Sequence, residues 1–305
     1  MADMTLAERW KTVRYRRACL AVIRKGLWAC SSVLTTTMIS ISFVAAEPAP
    51  RVASTMVCSD QFVLAMVAPE NIVGVSAMGH DPQISAMAGR ATNVASLRPN
   101  AETFLMTHTD IVVGAEHGDT KTLAMLERLG VTTMRVPSKN DLPAIVAQVA
   151  QVGHQLGVGD VGDKLAAEAR QRLAVAAEHL PEHPVVAAYY RPDGGSSAKG
   201  TYVDAEMTAG GYRSLATELG QSGWGRLDLE TLVMHPPEAM IISFFSFNRK
   251  SMSISQRFAQ HPVFREALKS IPVVTVPGAK TACGNWTLVD GVEFLAASHQ
   301  TGAAP

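Results

Sequence analysis

Short apolar runs alternate along this chain with stretches whose apolar positions recur every three or four residues, and the programme runs twice. Arg51–Met56 reads as a strand, followed by a helix over Ser59–Val67 capped by Ser59 or Asp60, then a strand over Ile72–Ser76. Residues 77–100 read as loop. Ala101–Met106 predicts a helix, Asp110–Gly114 a strand, Thr120–Leu129 a helix stopped by Gly130, Val131–Val136 a strand, and Asp141 caps a helix to Leu156. The second pass gives strands at Pro184–Tyr190, Ala239–Ser243 and Ile271–Val276. Its helices are expected at Tyr202–Ala209, Arg213–Leu219, Asp228–Met234, Phe264–Ser270 and Leu288–Ala297. Such alternation implies parallel sheets covered by helices.

Between the passes, Val161, Leu165, Ala169, Leu173, Ala176 and Leu180 keep helical spacing among charges, with Gly157 and Gly159 before them and Pro181 and Pro184 after. One long helix over 160–180 is expected to join a lobe at 47–159 to a lobe at 181–305. An internal repeat supports two lobes. Glu102–Met106 followed by Asp110–Val113 matches Glu230–Met234 followed by Glu238–Ile241 at a constant offset of 128, and Leu126–Pro137 matches Leu268–Pro277. The fold class is therefore α/β: two Rossmann-like lobes with parallel sheets, joined by one long helix.

The first 46 residues differ from the rest. Seven Lys/Arg against two acids precede Gly26–Ala46, an uncharged stretch ending in the small residues Val44, Ala45 and Ala46. That is the pattern of a secretory signal peptide over 1–46, with an uncleaved membrane anchor as the alternative. Removing this segment from the 27 basic and 27 acidic residues of the chain leaves 20 and 25, a formal charge of −5. A mildly acidic body lacks the basic face that nucleic acid demands. Export would place Cys58 and Cys283 in an oxidising space, where they form a disulfide or remain two buried thiols.

A ligand cleft is expected between the lobes, at loops after the carboxyl ends of strands. Those loops carry His80, Glu116, His117, Tyr190, Arg191, Lys199, Tyr202, Phe247, Asn248 and Trp286. Flat aromatic contact and an arginine suited to carboxylate or catecholate oxygens fit a large, partly aromatic, polar ligand. The sequence contains no His-x-His pair, and its one His-x-x-x-His pair, His179 and His183, encloses Pro181, which ends the helix that would put both on one face, so a bare metal site is not expected. Gly-x-Ser-x-Gly and Walker A motifs are also missing, and the one Gly-x-Gly-x-x-Gly match, Gly157 to Gly162, follows an expected helix and not a strand, so neither catalytic residues nor a cofactor is assigned.

The Arg51–Gln61, Asn71–Ser76, Glu102–Gly114, Gly200–Gly211 and Leu227–Ser243 stretches, in this order and spacing, resemble the class III periplasmic substrate-binding proteins of ABC importers. The resemblance covers nearly all of the chain after the leader. It implies a monomeric periplasmic receptor with a rigid helical backbone, handing a bulky metal chelate or corrinoid to the importer's transmembrane subunits. Ferric siderophore ranks first, cobalamin close behind and haem third. It further implies that Glu102 and Glu230, one on each lobe, dock to the permease by ion pairs. The alternative is that each merely favours the first turn of its helix.

Overall fold

Strands that are apolar on both faces need cover on both, and the first half of the chain supplies it around a parallel sheet. In the computed structural model, which describes residues 49–244 and 254–300, β1 (Val52–Ser54), β2 (Ile72–Ser76), β3 (Ser96–Leu97), β4 (Ile111–Ala115) and β5 (Thr132–Val136) run parallel in the order β3-β2-β1-β4-β5. The helices are α1 (Val57–Met66), α2 (Ala101–Met106), α3 (Thr120–Arg128) and α4 (Leu142–Gln155). Val52 and Val113 enter one core with Phe62 and Val63 of α1 and Val149 of α4. Their neighbours Ala53 and Val112 point the other way, against Phe104 of α2 and Leu123 and Leu126 of α3.

α5 (Gly159–Ala177) follows and joins this half to the next. The second half has a parallel sheet β11-β10-β6-β8, from β6 (Val185–Tyr190), β8 (Tyr212–Ser214), β10 (Ala239–Ser243) and β11 (Val273–Val276). β7 (Gly195–Ser197) and β9 (Trp224–Arg226) form a separate antiparallel pair. The remaining helices are α6 (Tyr202–Ala209), α7 (Leu215–Glu218), α8 (Leu229–Met234), α9 (Pro262–Ser270), α10 (Gly278–Thr281) and α11 (Leu288–Ser298). Alternation holds here too. Tyr189 and Ile241 face Met207 and Leu295, whereas Tyr190 and Ile242 face Leu232 and Phe264.

The chain separates into Met1–Ala49 and Pro50–Pro305, and the architecture above belongs to the second unit. The leader expected at 1–46 lies outside the described residues. Among the described residues no helix is long and apolar enough to cross a membrane.

Three local expectations are corrected. α1 begins at Val57, with Met56 at the cap position; Ser59 sits one turn in, and Asp60 is buried, accepting hydrogen bonds from Ser54 Oγ (2.6 Å), Ser76 Oγ (2.5 Å) and Ser76 N (3.1 Å). Its carboxylate joins the carboxyl ends of β1 and β2. Arg213–Leu219 is a strand followed by one helical turn, because Tyr212 and Ser214 alternate inward beside β6. The joining helix buries Ala169 and Ala176 and packs Leu165 and Leu173 against the core as expected, with Leu180 just past its end, but Val161 is 39% exposed and Gly162 and Ala166 are buried in its place. Glycine allows this exchange: a Cβ on Gly153 of α4 would lie 2.7 Å from Gly162 Cα, so α4 and α5 touch backbone to backbone.

Candidate ligand cleft

Strand order in the first sheet reverses between β1 and β4, and loops leaving such a point diverge to leave a crevice at the carboxyl ends. A cavity of about 410 Å³ lies there. Met56, Cys58, Ser59 and Phe62 line it after β1, Ala115 and His117 after β4, and Val136 to Asn140 after β5. The second half closes it with Tyr202, Trp224 and the segment Ala282–Asn285.

The walls are braced. Cys58 and Cys283 are joined as a disulfide with Cα atoms 5.5 Å apart, so a covalent bond ties α1 to the segment before α11 in the cleft wall itself. Phe62 packs against Trp286 with ring centroids 4.8 Å apart, directly behind that bond. Glu116 N donates to Val136 O at 2.9 Å, and its carboxylate accepts from Ser138 N at 2.8 Å, so the two loops carrying His117 and Lys139 hold each other. Gln148 Nε2 reaches Pro137 O from α4. Asn285 accepts from Thr287 N and Oγ1, while its Nδ2 has no partner among the described residues.

The second half contributes an aromatic corner to the same lining. Tyr202 and Trp224 meet edge to face at 5.1 Å, and the Arg191 guanidinium lies 5.7 Å from the Trp224 ring centre. Trp224 is 46% exposed. Asp193 pairs with Arg191 at 3.7 Å. The Tyr202 hydroxyl donates to Ala282 O at 3.2 Å, and burial pushes its pKa up to about 12, so it stays a neutral phenol. Among the described lining residues Lys139 is the formal cation and none is a carboxylate. Among the described residues no group of three or more His, Cys, Asp or Glu is placed to hold a metal ion.

Of the residues anticipated from sequence, the cleft brings together His117 and Tyr202, with Glu116 bracing one wall and Arg191 behind Trp224. Tyr190 is a correction: it is fully buried between Phe258 and Phe264, each 5.2 Å away, because it points to the face opposite Tyr189. Trp286 is another: it is 6% exposed and belongs to the core under the cleft. His80 is half-buried in a 3-10 turn after β2 and does not line the cavity, and Lys199 is exposed where the β7–β9 pair opens. Phe247 and Asn248 lie outside the described residues. Sequence reading missed Trp224, Lys139 and Asn140 as cleft residues. Trp224 had one available signal, a lone aromatic among Gly220, Gly223 and Gly225.

Away from the cleft, the repeat reappears as a pair of feet. Glu102 and Glu230 are exposed in the first turns of α2 and α8, which Asn100 and Asp228 cap by accepting from Thr103 N (2.8 Å) and Thr231 N (2.7 Å). Each helix ends in an exposed apolar step, Leu105-Met106 or Val233-Met234.

A family model described as periplasmic binding protein matches residues 52–278. A curated cobalamin-binding protein of Halobacterium salinarum is 24% identical over 202 residues, 64% of this chain and 53% of that protein; the chain spans about half the length of the curated relatives it matches. The solved periplasmic haem-binding protein RhuT of Roseiflexus sp. RS-1 aligns with a TM-score of 0.66 at 18% identity, over 85% of this chain and 100% of its own. The periplasmic vitamin B12-binding protein BtuF of Vibrio cholerae aligns with a TM-score of 0.62 at 18% identity, over 83% and 98%. At these identities the likeness is one of fold.

Proposed function

The chain belongs to the periplasmic binding protein family, and from that premise we propose that it is the exported receptor of an ABC importer, taking a corrinoid of the cobalamin type into the cleft. The cleft wall carries this reading. It is aromatic and largely uncharged, with Phe62, Tyr202 and Trp224 around a cavity whose described lining holds one cation and no carboxylate. A corrin macrocycle offers broad apolar faces and neutral amide arms, which such a wall contacts without leaving a buried charge unpaired. The anionic catecholate complexes of iron call for several convergent cations. Here Arg191 is already engaged by Asp193 and Trp224. Corrinoid therefore moves ahead of ferric siderophore, the first choice from sequence alone. The cobalamin-binding proteins of Halobacterium support the same order. Haem stays third: Tyr202 is tied to Ala282 O and held neutral, which leaves His117 as its one axial ligand in the lining.

Delivery would use the feet. Two carboxylates on matched helices of the two halves fit a partner made of two similar subunits. The receptor would work as a monomer and catalyse nothing. Calorimetric titration of the exported protein with cyanocobalamin, a ferric catecholate, a ferric hydroxamate and hemin tests the ligand. Cyanocobalamin should bind with a Kd of about 1 µM or below. Tight binding of a ferric siderophore with none of cyanocobalamin would overturn the proposal in favour of iron uptake.

A further inference from the structure

We propose that His117 is a coordinating residue for the cobalt of a bound corrinoid, displacing a water from the metal's exposed axial face. The proposal rests on the corrinoid reading above, and it concerns which corrinoids the cleft prefers.

The geometry begins with the loop. His117 leaves β4 at its carboxyl end, and the residue before it is fixed twice, by Glu116 N to Val136 O (2.9 Å) and by Glu116 Oε2 to Ser138 N (2.8 Å). Gly118 after it adopts φ +132°, where a side chain would be strained, and an added Cβ would meet Met56 Sδ at 3.2 Å. The imidazole is thus offered from a braced position in the cavity wall, with no hydrogen-bond partner among the described residues.

The donor inventory of the wall points the same way. Both cysteine sulfurs are consumed in the disulfide, and the Tyr202 hydroxyl is bound to Ala282 O. That leaves one imidazole, with the Met56 thioether and the Lys139 amine as weaker donors. One strong donor cannot hold a bare ion, which needs three or four. It suits a metal whose equatorial positions a macrocycle already fills and whose axial water exchanges. The step is a ligand exchange without redox change. The cobalt(III)–oxygen bond to water breaks, a cobalt–nitrogen bond to a neutral imidazole ring nitrogen forms, and water leaves to solvent.

The test adds aquocobalamin and, separately, cyanocobalamin to the exported protein and follows the corrinoid absorbance. Aquocobalamin should show the band shift of imidazole coordination and bind at least about tenfold more tightly than cyanocobalamin. In His117→Ala and His117→Gln the shift should vanish and the two affinities converge, while His80→Ala keeps both. An unshifted spectrum with equal affinities in the wild type would overturn the role of His117 and leave the corrinoid reading standing. Failure of both corrinoids to bind would overturn the two together.

Discussion

Glu206 is 1% exposed, its Oε2 accepting from Thr281 Oγ1 at 2.7 Å and its Oε1 lying against Gly291 without a hydrogen-bond partner. Burial raises its pKa to about 8, against smaller opposing effects of the Thr281 bond and the Lys280 charge. A carboxyl whose pKa is higher in the fold than in the unfolded chain contributes stability at low pH. That stability is lost as pH climbs from the ordinary value of 4.5 towards about 8, and the loss is level beyond. Glu206→Gln should abolish this slope and, at pH 8, stabilise by on the order of 4 kcal/mol. Denaturant unfolding of both proteins at pH 5 and pH 8 checks it; an equal wild-type-minus-variant difference at the two values would contradict it. Individual residues were also where the sequence was hardest to read. His117 and Tyr202 were legible because they follow strand ends or open a helix. Tyr190 follows the same rule and fails it, since alternation says that Tyr189 and Tyr190 diverge but not which faces the ligand. Trp224 stayed hidden because β9 is three residues long and pairs only with β7.

Secondary-structure elements were more legible. Ala101–Met106, Tyr202–Ala209 and Ala239–Ser243 occur as the periodicity implies, since caps and apolar runs are local signals. The packing face of α5 was legible at Leu165, Ala169, Leu173 and Ala176, but its close approach to α4 was not, because glycine carries little hydropathy yet decides how closely two helices approach. α5 meets α4 through Gly162 and Gly153, and meets α11 through Arg172, whose guanidinium donates to Glu293 (2.8 and 2.5 Å) and Asp290 (2.6 Å). The Arg172 hydrogen bonds hold the Glu293 carboxyl below its usual range. A helix clasped on both sides resists bending between the halves. Gly162→Val should therefore cost about 2–3 kcal/mol, because the branched side chain would press on the α4 backbone at Gly153, Val149 and Ala150, which cannot swing aside as a side chain can. An unchanged thermal midpoint would mean that the two helices do not set each other's distance.

Over the whole molecule, the duplicated programme placed two sheets, and the crevice follows from the strand order of the first. The disulfide adds a covalent link between residues 225 apart in sequence, within the cleft wall. The feet belong to this scale. Glu102→Ala combined with Glu230→Ala should reduce corrinoid-dependent growth through the importer while leaving the Kd for cyanocobalamin unchanged, because neither residue lines the cavity. Lost affinity in the double variant would put the carboxylates in the binding site instead.

The most direct test of the cleft as the binding site is titration of cyanocobalamin into wild type and Trp224→Ala, with thermal melting of both. Trp224 is half-exposed on the cavity wall, so its removal should weaken binding about tenfold or more with little change in the melting midpoint. Equal affinities in the two proteins would contradict the assignment of the ligand to this cleft.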